Sequence, residues 1–213
     1  LASLPPDLAL PMVETALKHK KVKNNDEQLY GYSKVYTQFK QLEPALKVVN
    51  KAIDIKRKED YVFWRARLYL MLKKYVLAEQ DYLWLIDKDD SKEAYISQYA
   101  SLLNHLDRTN EAQQLLEAHK DNPDLLYKSI ILALSSDDEL EAKKQFTQIK
   151  TVLLLDDMDD QKKIEIGELA YWLDDYDYSL NVLNSVKSGD HISQAKLIMG
   201  QVLMKQEAYE RAV

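Results

Sequence analysis

The sequence predicts an all-α solenoid built from stacked helical hairpins. Three observations carry this. Small residues recur at a fixed interval along most of the chain. The apolar residues between them follow a helical period. Gly and Pro number only 4 and 5 in 213 residues, which leaves little of the turn chemistry that an all-β chain of this length needs.

The first small-residue series is Ser33, Ala66, Ala100, Ala133, Gly167 and Gly200, at intervals of 33, 34, 33, 34 and 33. A second starts twelve residues later: Ala45, Ala78, Ala112, Ala142, Ser179 and Ala212, at intervals of 33, 34, 30, 37 and 33. A repeat of this length is one supersecondary unit. Two helices in a hairpin approach to about 8–10 Å, and the closest crossing has no room for a large side chain.

Each repeat reads as two short amphipathic helices. In the first, Leu29, Tyr32, Val35 and Tyr36 mark helix A, and Ala45, Val48, Val49, Ala52 and Ile53 mark helix B. In the second, Val62, Ala66 and Tyr69 are followed by Ala78, Tyr82 and Leu85. The expected repeats are 26–59, 59–92, 93–122, 123–159, 160–192 and an incomplete 193–213. Repeat four has two registers. Ala133 takes the small place if the interhelix turn Ser135-Ser136-Asp137-Asp138 comes early. Ile130 takes it if the spacing of twelve to Ala142 is kept, and the extra length then falls in Asp156 to Gln161. A local change of superhelical twist is expected there either way.

At the start, residues 11–23 read as one helix with Pro11 in its first turn. Met12 lies 33 residues before Ala45, so residues 1–25 are expected to supply the second helix of a truncated upstream repeat. At the end, Tyr209 to Val213 reads as the start of a further helix B. Both ends look cut from a longer array, because a solenoid normally covers its terminal core with a polar face.

The net charge is −6 and pI ≈ 5.3, which disfavours nucleic acid as a partner. The charge is uneven: residues 1–60 carry net +3, residues 61–134 net −2 and residues 135–213 net −7. The densest basic run, Lys18-His19-Lys20-Lys21-Val22-Lys23, reads as a solvated helix end whose cations suit the carbonyl-rich terminus. No apolar stretch approaches the length of a membrane helix. Cys is absent, which excludes thiolate metal sites and disulfides and suits an oxidising compartment.

The small–aromatic–Ala–apolar–Ala pattern, as Ser33, Tyr36, Ala45, Val49, Ala52 and as Ala66, Tyr69, Ala78, Tyr82, Leu85, resembles the tetratricopeptide repeat (TPR). Gly200, Leu203 and Ala212 begin it once more. The Pro that usually ends helix B is missing in most units, with Pro123 the nearest match. Leu29, Val62 and Ile96 stand where a large aromatic is usual. The resemblance implies a right-handed α-solenoid whose A helices line a concave groove, and binding of a protein or peptide there. Asn122-Pro123-Asp124-Leu125-Leu126-Tyr127 and Val186-Lys187-Ser188-Gly189-Asp190-His191 are similar to long TPR proteins of Gram-negative bacteria. That likeness implies a periplasmic or outer-membrane-associated adaptor. The alternatives are a cytosolic assembly scaffold or co-chaperone-like module and, more distantly, part of an enzyme complex.

Residues for catalysis are not assembled. With Gly only at 31, 167, 189 and 200 no phosphate loop forms. His19, His105, His119 and His191 have no neighbour at metal-ligand spacing. The Asp156 segment lacks the Gly and Glu of a Ca²⁺ loop, holding Gln161 and Gly167 instead. Its carboxylates are expected to solvate a loop and favour the next helix start. No cofactor, no metal site and no enzymatic activity are expected.

The A-helix positions expected to face a partner are Tyr30, Lys34 and Gln38, then Phe63, Arg67 and Met71, then Ser97, Ser101, Asn104 and His105, then Tyr127, Ile131 and Leu134. The last units give Ile164, Glu168, Trp172, Leu197, Gln201 and Lys205. The paired Lys and Asn with which some TPR proteins clamp a carboxyl terminus are absent from the matching places, which hold Tyr30 with Lys34, Phe63 with Arg67 and Ser97 with Ser101.

Overall fold

A computed structural model describes residues 4–212 and the side chains of residues 4–207. The described residues form thirteen α-helices, one 3-10 turn and no strand. The helices are α1 (Pro6–Ala16), α2 (Lys20–Lys23), α3 (Asp26–Gln38), α4 (Leu42–Ile55), α5 (Glu59–Met71), α6 (Tyr75–Lys88), α7 (Glu93–His105), α8 (Thr109–Glu117), α9 (Pro123–Ser135), α10 (Glu139–Val152), α11 (Asp160–Trp172), α12 (Tyr176–Asn184) and α13 (Gly189–Ala212). They fall into two compact units, residues 1–112 and 113–213.

The hairpins share one frame. In α3, α5, α7, α9 and α11 the eighth residue is Ser33, Ala66, Ala100, Ile130 and Gly167, and all five are buried. In α4, α6, α8, α10 and α12 the fourth residue is Ala45, Ala78, Ala112, Ala142 and Ser179, each at 0% exposure. At two crossings a hydroxyl joins the backbones. Ser33 Oγ donates to the Ala45 carbonyl at 2.9 Å, and Ser179 Oγ donates to the Gly167 carbonyl at 2.7 Å.

Each hairpin turns on a residue of positive φ: Lys40 (58°), Lys73 (57°), Asp107 (58°), Asp137 (58°) and Asp174 (63°). The next N–H returns to a carbonyl five residues back, as Gln41 to Tyr36 at 2.9 Å and Asp175 to Ala170 at 2.9 Å. This closure satisfies carbonyls that the helix end leaves open.

One open register is resolved and three expectations are corrected. Repeat four takes the Ile130 register, so Ala133 does not hold the small place. The extra length lies between α10 and α11, where Leu155–Asp157 forms the 3-10 turn. Residues 11–23 are not one helix: α1 begins at Pro6 with Pro11 inside it, and α2 is separate. The buried fourth residue of α1 is Ala9, at 0% exposure, whereas Met12 is 53% exposed. Finally, α13 continues to Ala212 without a turn before Tyr209. The side chains of Tyr209 to Val213, Ala212 included, lie outside the described residues, as does Leu1.

In the second unit one apolar cluster joins Leu126 and Ile130 of α9, Phe146 and Ile149 of α10, Met158, and Ile166 and Leu169 of α11. Another joins Ile164, Leu183, Val186, Ala195, Ile198 and Val202. Asp159 caps α11, accepting from Lys162 N at 2.7 Å, as expected of that Asp-rich loop.

Candidate functional site

In the first unit the A helices are held to one another by a repeated polar clamp. Lys58, just before α5, pairs with Asp26 at 2.8 Å, and Tyr61 donates to the same carboxylate at 2.9 Å. One repeat later Lys92 pairs with Glu59, and Tyr95 donates to it at 3.2 Å. These contacts keep both acids ionised: the Lys58 hydrogen bond lowers the Asp26 pKa, and the Lys92 hydrogen bond lowers that of Glu59. A second tie runs through the core. Trp64 Nε1 donates to Ser33 Oγ at 3.0 Å, and the Ser33 hydroxyl donates in turn to the Ala45 carbonyl.

This stacking decides which expected residues are available. Tyr30 is half-buried, its ring 4.6 Å from that of Tyr61. Phe63 is likewise half-buried, between Tyr95 at 5.1 Å and Tyr82 at 6.2 Å. The fifth residue of an A helix thus packs against the third residue of the next, and Phe63 serves chiefly as packing between repeats. Ser97 is half-buried. Lys34, Gln38, Arg67, Met71, Ser101, Asn104 and His105 are exposed. His105 Nε2 lies 2.9 Å from Tyr75 Oη, which fixes that ring.

The two cations of this face sit on aromatic rings. Lys34 Nζ lies 4.0 Å from the Tyr30 centroid, and Arg67 lies 5.5 Å from that of Trp64. Among the described residues neither has a carboxylate partner. Arg65, two residues from Arg67, is by contrast fully engaged: it grips buried Asp81 at 2.6 and 2.8 Å and reaches Asn50 at 3.1 Å. Trp64 was not among the expected positions. Its signal was its place one turn before Arg67 and Leu68 in the aromatic run Tyr61-Val62-Phe63-Trp64.

In the second unit Tyr127 is half-buried, with Lys162 Nζ 4.7 Å from its centroid, and Lys162 also pairs with Asp124 at 2.5 Å. Ile131 is exposed and Leu134 half-buried. Ile164 is 1% exposed and belongs to the core, which removes it from the expected binding face. Trp172 and Leu197 are 62% and 66% exposed. Glu168, Gln201 and Lys205 are exposed, and Lys205 is bound to Asp174 at 2.8 Å. No group of three or more metal-ligating side chains occurs among the described residues, and no described helix is long and apolar enough to cross a membrane.

Solved structures with the same hairpin stacking are numerous. A tetratricopeptide repeat protein of Parabacteroides merdae matches 92% of this chain and 77% of its own length, with a TM-score of 0.54 at 15% identity. This chain has the TPR fold. The C-terminal part of a TPR protein of Cytophaga hutchinsonii matches 83% of the chain and 71% of its own, with a TM-score of 0.60 at 14% identity. YrrB, described as a TPR protein with an unusual peptide-binding site, matches 93% of the chain and 97% of its own, with a TM-score of 0.50 at 12% identity. No protein-family model and no curated protein matches the sequence. In TPR terms, the exposed positions of α3, α5 and α7 are a face of successive A helices that carries two unneutralised cations beside aromatic rings.

Proposed function

We propose that this chain is a non-catalytic scaffold or adaptor, and that the face formed by α3, α5 and α7 binds a protein segment combining apolar and acidic side chains. One observation carries the reading. Lys34 and Arg67 occupy the ninth place of successive A helices, and rings hold each while no carboxylate among the described residues neutralises it. A cation resting on a ring is oriented yet still open to an anion. Met71, 58% exposed on the same helix as Arg67, supplies adaptable apolar contact. YrrB, of the same fold, is described by its peptide-binding site, which supports a peptide as the occupant here.

The test is a pull-down with the whole protein, followed by titration of the recovered partner against Lys34→Ala/Arg67→Ala. Both side chains are exposed, so helical content is expected to stay the same. Loss of about 2 kcal/mol, roughly thirtyfold in affinity, is expected of paired hot spots. Undiminished affinity refutes this face as the binding surface. The same proposal places the scaffold in a bacterial envelope, supported by the resemblance to long Gram-negative TPR proteins and by the absence of Cys. Cell fractionation checks this, and recovery in the cytosol favours the cytosolic assembly scaffold.

A further inference from the structure

The first unit contains a second feature, away from the A-helix positions just described. A cleft of about 580 Å³ opens beside α4, with Leu17, Tyr36, Pro44 and Val48 as its apolar lining and Lys47 and Lys51 at its rim. Tyr36 and Val48 are buried and the two lysines are exposed. Lys47 and Lys51 are one helical turn apart, so they lie on one face of α4.

The charge around this cleft is uncompensated. Among the described residues neither Lys47 nor Lys51 has a carboxylate partner. Glu43, the acid lining the cleft, is already held by Lys74 at 3.0 Å. Burial raises the Tyr36 pKa, and the nearby Glu14 carboxylate adds a smaller push in the same direction. Immediately after Leu17 come Lys18, Lys20, Lys21 and Lys23, all exposed and also without carboxylate partners. Two clefts of the second unit behave differently. In one, Lys150 pairs with Asp175 at 2.6 Å and Lys143 lies 3.8 Å from Asp174; in the other, Lys205 is bound to Asp174. Those two clefts neutralise their lysines, and the α4 cleft leaves Lys47 and Lys51 without a carboxylate among the described residues.

From this we infer that the α4 cleft is a docking site for an acidic protein segment that inserts one large apolar side chain. The apolar lining accepts the side chain, and Lys47, Lys51 and the basic run after Leu17 attract the flanking carboxylates. The site does not depend on the α3–α5–α7 face, so the two can fail separately.

The probe is a short fluorescein-labelled peptide of Glu and Asp residues around a single Phe, followed by anisotropy with the full chain. Binding is expected to weaken as salt rises, and about tenfold in Lys47→Ala/Lys51→Ala. It is expected to be lost when Gln and Asn replace the acids, and to weaken clearly when Ala replaces the Phe. Lys34→Ala/Arg67→Ala is expected to leave it unchanged. Absence of binding overturns the inference, as does indifference to the Lys47 and Lys51 changes. Equal affinity for the Ala peptide shows attraction by charge alone and overturns the insertion. Cosedimentation with phosphatidylglycerol vesicles in place of peptide binding overturns it in favour of a membrane surface.

Discussion

Gly167→Ala is a direct test of the crossing frame. A Cβ at residue 167 would stand 2.6 Å from Leu183 Cγ and 2.7 Å from its Cδ2. Carbon atoms in contact prefer about 3.5–4.0 Å. Leu183 is 2% exposed and belongs to the cluster of Ile164, Val186 and Ile198, so it cannot swing into solvent. Overpacking of this kind costs about 1–3 kcal/mol. Replacing Gly by Ala inside a helix returns about 1 kcal/mol of propensity. Gly200→Ala supplies the control, because an added Cβ there meets nothing within 4 Å. It should therefore gain about 1 kcal/mol. The difference between the two variants isolates the clash, about 1–3 kcal/mol in favour of Gly200→Ala.

The assay is urea unfolding followed by circular dichroism, with midpoints compared within one series because repeat chains need not unfold in a single step. Leu183→Ala alone should cost about 2–5 kcal/mol, and less in the Gly167→Ala background, where it relieves the contact. That coupling identifies Leu183 as the partner. Equal stability of Gly167→Ala and Gly200→Ala, or additive behaviour of the Gly167 and Leu183 changes, would refute the close approach.

Three further outcomes follow from single contacts. Arg65→Met leaves buried Asp81 without its bidentate partner and should cost about 3–5 kcal/mol in a urea melt, most of it recovered in Arg65→Met/Asp81→Leu. Ser33→Ala removes the acceptor of the Trp64 indole and should cost about 1–2 kcal/mol, with a shift in tryptophan emission. Asp26, Glu59 and Asp160 have lowered pKa values, through Lys58, Lys92 and the Ser188 and Lys187 N–H groups respectively. Their contribution is present above the unfolded carboxylate range near pH 4 and is lost as pH falls through the lowered folded values; thermal melts of Asp160→Asn should show a shallower acid decline than the parent.

The period was legible because crossing helices admit only small side chains, and four of the five eighth-place residues are small. Repeat four hid its register because Ile130 fills the place where the pattern asks for Ala, and Ala133 three residues later offered a false match. Two of the turns gave no signal of their own. Lys40 and Lys73 adopt a left-handed conformation usually reserved for Gly, so the scarcity of Gly did not mean a scarcity of tight turns. The break between α1 and α2 likewise carries neither Gly nor Pro at Leu17 to His19. At the candidate face, Lys34 and Arg67 could be read from helical periodicity alone. Phe63 and Ile164 could not, because burial at the fifth place depends on the repeat that follows. Lys47 and Lys51 had a visible spacing of four, but their lack of acidic partners is a property of the folded surface.

The frame also predicts where the chain tolerates a change of length. Hairpin turns all have the same length, whereas the connections between hairpins vary, from Lys56–Lys58 after α4 to Leu153–Asp159 after α10. The reason is geometric. The closure at Asp137 sets where α10 begins, and that start puts Ala142 opposite Ile130. One residue inserted after Asp137 would rotate α10 by about 100° relative to its turn. Ala142, Phe146 and Ile149, now buried, would leave the core face, and the polar Glu141, Gln145 and Gln148 would take their places. Displacing Phe146 alone is comparable to a buried Phe→Ala change, about 3–5 kcal/mol. One Gly inserted after Asp156 only lengthens a loop that already holds a 3-10 turn, and closure entropy adds well under about 0.5 kcal/mol. Urea midpoints of the two insertion variants should therefore separate widely, with the second close to the parent. Equal losses would mean that the connection between α10 and α11 is as tightly specified as the turn, and that the phase of the array is not carried by the hairpins.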